Sequence, residues 1–126
     1  ELSEGTIEGL RLGISYYFRI CDEMQDEVLV MYQEAKSLNK TALPYVLNKE
    51  IEMAHMFEKL IVACLGREKI ELEAEQTYLL AHNIIVHGQM WAFRRWAIGK
   101  KFTIEDYIDS QTNLLLKGIV EGTNKV

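Results

Sequence analysis

A run without any charged side chain, from Gln76 to Phe93, constrains the fold of this chain more than any other feature. Its apolar residues recur at three- and four-residue steps, which indicates a helix that is apolar almost all round. A helix with one side in solvent has a polar face, so this one needs cover on more than one side. In a chain of 126 residues we expect part of that cover to come from a second copy, which predicts a helical dimer.

Five helices and no strand are predicted, so the expected fold is all-α, in a single domain over residues 1–126. The predicted helices cover about 2–21, 26–38, 41–65, 72–98, and 103 to between 118 and 122. Thr41 and Thr103 are suited to cap the third and fifth helices, and Gly66 and Gly99 to end the third and fourth. The predicted inner stripe of the third helix is Leu43, Leu47, Ile51, Ala54, Phe57 or Glu58, Ile61 and Leu65.

Composition and charge limit the class of function. The formal net charge of −5 argues against nucleic-acid binding by this segment, because a phosphate backbone needs a basic face. Cys21 and Cys64 lie far apart and form no CxxC motif, so we expect buried free thiols in the reducing cytoplasm. No secretory segment opens the chain, and the amides and histidines of the uncharged run argue against a membrane span.

Three glycines, Gly5, Gly9 and Gly13, fall four residues apart on one face of the first predicted helix. Each glycine destabilises a helix by about 1 kcal/mol relative to alanine. The pattern has two interpretations. One is a weak helix start, and the other is a flat strip for close contact with a neighbouring helix or a ligand.

Tyrosines and methionines concentrate in the first three predicted helices, where they are suited to line a cavity for a hydrophobic or amphipathic effector. Ordinary core packing is the alternative for each of them. Asn83 and His87, inside the uncharged run, are candidates for polar contacts with the effector, and would need hydrogen-bond partners if buried. The predicted ligand-binding residues are Tyr16, Tyr17, Met31, Tyr32, Met53, His55, Met56, Asn83 and His87.

Motifs for catalysis or metal binding are weak. Glu52 and His55 have the ExxH spacing of di-iron bundles, but such a site needs a second motif and two more glutamates. We therefore expect no metal, and histidines that are hydrogen-bonded in a pocket or core. No nucleophile elbow, phosphate-binding glycine loop or HExxH motif occurs. No catalytic residue, no cofactor and no enzymatic activity are predicted.

Arg94 and Arg95 follow the uncharged run directly. If buried, they need an acidic partner, for which Glu34 is suited; alternatively, one or both point to solvent near the helix end. Interfaces between proteins are enriched in aromatic and arginine side chains. The predicted dimer-interface residues are Trp91, Arg95, Trp96, Tyr107, Gln111, Leu114 and Leu115.

Three segments of the chain are informative when they are taken together. They are YYFRI at 16–20 with LVMYQEAKSL at 29–38, WAFRRWA at 91–97, and FTIEDYI at 102–108 with LLLKGI at 114–119. In order, they resemble the first two helices, the end of the penultimate helix and the last helix of the C-terminal ligand-binding and dimerisation domain of TetR-family transcriptional regulators. The resemblance extends from about Leu10 to Ile119.

The resemblance implies a bacterial repressor that forms a homodimer through its last two helices, as a four-helix bundle, with a small effector held among the others. It implies that the DNA-binding helix-turn-helix domain lies outside this chain, so that DNA is contacted only through that domain. Such dimers present their DNA-binding heads about 34–36 Å apart. An effector that changes this separation lowers operator affinity, and DNA must then weaken effector binding by the same factor.

Two other interpretations remain open. A small helical-bundle enzyme or metal-binding protein would carry bound iron or zinc after purification. A purely structural dimerisation module would have a dry, fully packed interior. A cavity of several hundred Å³ would favour the effector domain over that module.

Overall fold

The computed structural model describes residues 4–34 and 42–124, apart from the side chains of 32, 42–43 and 120–124, and this part consists of six α-helices and no strand. The helices are α1 (Glu4–Glu23), α2 (Gln25–Glu34), α3 (Ala42–Gly66), α4 (Ala74–Phe93), α5 (Arg95–Ile98) and α6 (Ile104–Asn124). The predicted all-α class is confirmed. The predicted end of the second helix at Leu38 and the predicted cap Thr41 lie outside the described residues.

The predicted fourth helix, 72–98, is two helices in the structure. Arg94, with φ −115° and ψ 17°, leaves helical geometry between α4 and α5. The start of α4 is later than predicted because Glu73 forms a capping box with Gln76, whose side chain accepts the Glu73 amide at 3.2 Å. Gly99 ends α5, the second part of the predicted fourth helix, rather than α4. The Thr103 hydroxyl accepts the Asp106 amide at 3.1 Å, so the predicted cap of the last helix is confirmed.

α4 lies at the centre of the fold and packs against α1, α2, α3 and α6. Its inner face is buried against them, with Ile84, Ile85, Gly88 and Trp91 among its buried residues. The predicted need for cover is therefore met largely within the single chain. An outer strip of α4 that includes Leu79 stays exposed, and only there does cover by a second copy remain a prediction.

The core forms around α1. Leu10, Ile14 and Phe18 recur at four-residue steps and are fully buried. At one end of the core, the Tyr107 ring lies 5.8 Å from Phe18 and 5.0 Å from Trp91, measured between ring centres. The indole N–H of a buried tryptophan needs a hydrogen-bond partner. For Trp91 that partner is the Asp22 carboxylate, which accepts the N–H at 2.8 Å.

Glycine allows close contact between α1 and α3. A Cβ atom at Gly13 would collide with the Leu60 side chain, and one at Gly9 would lie 3.3 Å from the Cys64 sulfur. Nothing lies near Gly5. The close-contact interpretation of the glycine strip therefore applies to two of its three members.

The predicted inner stripe of α3 is correct in the second half of the helix, while its first member, Leu43, lies outside the described side chains. Ala54, Phe57 and Ile61 are buried, whereas Leu47 and Ile51 are about half exposed. Their prediction as inward residues is wrong, because the part of α3 that contains them turns a different set of positions, including Glu50 and Met53, toward α1 and α2.

Both cysteines are buried free thiols, as predicted. None of the described helices is both long enough and apolar enough to cross a membrane.

Candidate effector clefts and exposed helical face

A cleft of about 510 Å³ lies between α1 and α3, and we call it the outer cleft. Residues at three- and four-residue steps on each helix face each other across it, which is the spacing that places side chains on one helix face. Four of the predicted ligand-binding residues come together here. Its lining is Gly13, Tyr16, Tyr17, Ile20, Lys49, Glu52, Met53, Met56, Phe57 and Leu60.

A smaller cleft of about 290 Å³, the inner cleft, adjoins the outer one. Tyr17, Ile20, Lys49 and Met53 line both clefts, so the two spaces share a wall. Met31, a predicted ligand-binding residue, lies in the inner cleft. Its lining is Tyr17, Ile20, Cys21, Met24, Val28, Met31, Tyr45, Val46, Lys49, Glu50, Met53 and Gln89.

Tyr17 connects the clefts to the core. Its ring meets the Phe57 ring edge-on, with centres 5.3 Å apart. Its hydroxyl donates to the main-chain oxygen of Ile85 at 3.4 Å, and the ring packs directly on Gly88, where a Cβ would lie 2.5 Å from a ring carbon. Any molecule that displaces this ring therefore acts directly on α4.

Few polar groups face the inner cleft. The Glu50 carboxylate accepts a hydrogen bond from the Gln89 side chain at 2.7 Å, and burial raises the pKa of Glu50. Burial also raises the pKa of Tyr17, and it raises the pKa of Cys21 to about 11. The Cys21 thiol is therefore protonated at neutral pH, and lacks the thiolate that a reactive cysteine needs.

Lys49 lies at the rim shared by the clefts. Its ammonium group is 3.4 Å from the Glu52 carboxylate and 5.4 Å from the centre of the Tyr45 ring. Both members of this ion pair are more than half exposed, so the pair contributes little to stability.

The remaining predicted ligand-binding residues lie elsewhere. His55 is exposed on the outside of α3, where its ring nitrogen donates to Glu58 at 3.1 Å. Asn83 and His87, four residues apart, share one face of α4. That face is nearly opposite to Ile85, whose main-chain oxygen meets Tyr17, so both residues lie on the side of α4 away from the clefts. The Tyr32 side chain lies outside the described residues. Among those residues, no group of three potential metal ligands occurs.

Glu50 and Gln89 were not predicted as site residues. Glu50 is three residues before Met53 and seven before Phe57, which is the spacing of one helix face. That spacing could have identified Glu50 from the sequence, because it places the carboxylate on the same helix face as Met53, a predicted ligand-binding residue, and Phe57, a predicted inward residue. Gln89 gave no comparable signal, because its partner Glu50 is 39 residues away in sequence.

A groove of about 480 Å³ follows α4 and α6 on the other side of the molecule. Leu79 and Leu114, 62% and 64% exposed, dominate its rim, and Leu115 lies at its floor. We call the following set the α4–α6 face: Gln76, Leu79, Asn83, His87, Gln111, Leu114, Leu115 and Gly118. Three predicted interface residues, Gln111, Leu114 and Leu115, belong to it.

The other predicted interface residues fall into two groups. Trp91 and Tyr107 are 4% and 3% exposed, so the structure places them in the core of the single chain, where their rings pack together, rather than on its surface. Arg95 and Trp96 are exposed on α5, and the Trp96 ring lies 5.3 Å beneath the guanidinium group of Arg94. Arg94 and Arg95 thus point to solvent, as in the second of the two interpretations.

Tyr107 ties α6 to α4 through a hydrogen bond from its hydroxyl to the main-chain oxygen of His87. Burial raises the pKa of Tyr107 to about 12, so this donor keeps its proton at physiological pH. The His87 ring donates in turn to the main-chain oxygen of Asn83. The position of α6 along α4 is therefore fixed beside the α4–α6 face.

The chain is similar to a protein described as HTH-type transcriptional regulator HbdR, from Aromatoleum sp. (strain CIB), with 25% identity over 119 residues. The alignment covers 94% of this chain and 51% of the relative, so the chain spans about half the length of the curated protein it matches. No family model and no solved structure matches the chain. The similarity supports a domain related to a transcriptional regulator, and the relative is not described as an enzyme.

Proposed function

We propose that this chain is the effector-binding and dimerisation domain of a TetR-like transcriptional regulator. The observation that carries the proposal is the presence of two separate apolar surfaces on opposite sides of α4. The outer and inner clefts are large enough for a small molecule, and the α4–α6 face presents exposed leucines. The resemblance of the sequence and the similarity to a described regulator support the same function.

The effector would occupy the two clefts. Tyr16, Tyr17, Met53 and Met56 form adaptable, mostly apolar walls, and Met31 extends them into the inner cleft. Clefts of several hundred Å³ favour an effector domain over a purely structural dimerisation module. In the full-length regulator, displacement of Tyr17 against Gly88 would shift α4 and so change the distance between the two DNA-binding heads.

A second copy would cover the α4–α6 face. Two-fold symmetry brings the same patch of both copies together, so Leu79 and Leu114 would be buried against their counterparts. Gln76, Asn83 and Gln111 would supply the polar contacts that accompany such an apolar centre. DNA would be bound by a helix-turn-helix domain that the resemblance places outside this chain.

Replacing Leu114 with arginine tests the dimer. We expect wild-type chain to sediment as a dimer and Leu114→Arg as a monomer, because two arginines would be buried without partners at the interface. Leu12→Arg is a matched control: Leu12 is 63% exposed and lies on α1, outside the α4–α6 face, and this variant should stay dimeric. A dimeric Leu114→Arg, or a monomeric wild-type chain, would remove the proposed interface.

A further inference from the structure

Glu50 is the acidic side chain among the described residues that line the inner cleft. It is half-buried in a wall formed by Tyr17, Met31 and Met53. A carboxylate can accept about four hydrogen bonds, and the Gln89 side chain supplies one. An ionised group in apolar surroundings is unfavourable unless it is paired with an opposite charge. The wall of this cleft therefore contains an acceptor suited to a further, positively charged donor.

The charges near Glu50 leave this acceptor available. No ion pair involving Glu50 occurs in the described part of the chain. The hydrogen bond from Gln89 and the charge of His82 favour the ionised form, but burial, the larger effect, raises the pKa of Glu50. Lys49 is directed to the rim, where it pairs with Glu52 at 3.4 Å.

Two aromatic rings line the same cleft. Tyr17 and Tyr45 are both part of the wall that contains Glu50, and the faces of aromatic rings attract cations. The Tyr45 ring already has a cation beside it, since the Lys49 ammonium group lies 5.4 Å from its centre. Because Lys49 already lies beside Tyr45, the preference of the inner cleft for a cationic ligand group rests on Glu50.

We infer that the effector is a mainly apolar molecule that ends in a protonated amine, with the amine against Glu50 in the inner cleft and the apolar part extending into the outer cleft. This inference rests on the proposed function, because it concerns the effector of the same clefts. The two clefts share Tyr17, Ile20, Met53 and Lys49. Because the Lys49 ammonium group pairs with Glu52 at the rim, the other three give the two parts of such a molecule a largely apolar path.

Three ligands of equal chain length test the inference: octylamine, octanol and octanoate, titrated calorimetrically into the whole chain at pH 7. We expect octylamine to bind about tenfold more tightly than octanol, in line with a charge-assisted hydrogen bond, and octanoate to bind most weakly. This order is measured on the wild-type protein and does not depend on the folding of any variant. Octanoate binding as tightly as octylamine would overturn the inference.

Glu50→Gln assigns the preference to one residue. It keeps the size of the side chain, and should reduce octylamine affinity to that of octanol while leaving octanol within about twofold. Glu8→Gln, which removes an exposed carboxylate of α1 outside both clefts, should keep the preference. A preference that survives Glu50→Gln would overturn the inference. If none of the three ligands binds the wild-type protein, the effector clefts themselves are refuted, which is a separate result.

Discussion

Gly88 shows how one residue without a side chain fixes the position of a helix. Tyr17 and Phe18 pack against its Cα, and a Cβ would lie 2.5 Å from a carbon of the Tyr17 ring and 3.1 Å from one of Phe18. Both rings are buried, and protein interiors are close-packed, so an added methyl group would have to push the Tyr17 ring toward the clefts that it lines. The close approach of α1 and α4 therefore depends on this glycine.

Gly88→Ala should destabilise the protein by about 2 kcal/mol, since overpacking of this kind exceeds the gain in helix propensity. Thermal or urea unfolding followed by circular dichroism measures the change. Gly5→Ala is the control: nothing lies within 4 Å of its Cβ position, so it should be neutral or slightly stabilising. Equal stability of the Gly88→Ala variant and the wild type would show that the rings can move apart.

Glu50 makes stability depend on pH in a direction that can be worked out. Burial raises its pKa in the folded chain, so folding favours the protonated carboxyl group. This contribution to stability is fully present below the unfolded pKa of about 4.3, and is lost as the pH rises through the folded pKa. At neutral pH the ionised group thus opposes folding, although contact with solvent moderates the effect.

Glu50→Gln should therefore melt at a higher temperature than the wild type at pH 7, because the neutral amide needs less solvation and can still bond Gln89. The difference should shrink as the pH falls toward 4. Differential scanning calorimetry at several pH values measures it. A gain that is the same at pH 4 and pH 7 would mean that ionisation of Glu50 has no part in it.

Among the elements, those with local end signals were predictable from sequence. Thr103 and Gly99 act on residues within a few positions, so the start of α6 and the end of α5 follow directly from the chain. The break at Arg94 carried no such signal, because neither glycine nor proline stands there. It separates the buried end of α4 from α5, whose Trp96 is largely exposed.

The face of a helix is less predictable where both sides carry apolar residues. In the first half of α3, Leu47 and Ile51 formed the more apolar stripe, yet they are half exposed, and Glu50 faces a cleft instead. Helix periodicity defines the possible stripes but does not choose between them. The choice here depends on contacts with α1 and α2, which are distant in sequence. The concentration of tyrosines and methionines at Tyr16, Tyr17, Met53 and Met56 was visible in the sequence and predicted a shared cavity. That Asn83 and His87 lie away from this cavity could not be predicted.

α1 and α6 are joined by polar contacts at their surface. The Arg19 guanidinium group donates to both oxygens of Glu105, at 2.8 and 2.6 Å, and Arg11 donates to Asn113 at 2.9 Å. The hydrogen bonds from Arg19, together with its charge, lower the pKa of Glu105. Because both partners are exposed, these contacts set the alignment of the two helices more than their stability.

In the molecule as a whole, α4 separates the two proposed functions. Its inner face carries Ile85, Gly88 and Gln89, which meet the walls of the clefts. Its outer face carries Leu79 and Asn83, which belong to the α4–α6 face. The clefts and the α4–α6 face share no lining residue, so we expect effector binding not to need the partner copy, and dimerisation not to need the effector.

Met56→Trp and Leu114→Arg together test this separation. Met56 lines the outer cleft and is largely exposed, so a tryptophan there can fill the cleft without entering the core. We expect Met56→Trp to remain dimeric while its affinity for octylamine falls at least about tenfold. Leu114→Arg should be monomeric and bind octylamine within about threefold of the wild type. Sedimentation velocity and calorimetry give the two measurements for each variant.

The pattern of losses decides the interpretation, since distant sites without shared contacts should respond independently. If Leu114→Arg lost octylamine binding although its circular dichroism showed a folded chain, the clefts would depend on the dimer, and a residue of the partner copy would have to contribute to them. If Met56→Trp bound octylamine as the wild type does, the apolar part of the ligand would lie outside the outer cleft. Two independent surfaces on opposite sides of α4 require that Met56→Trp loses only octylamine binding and that Leu114→Arg loses only dimerisation.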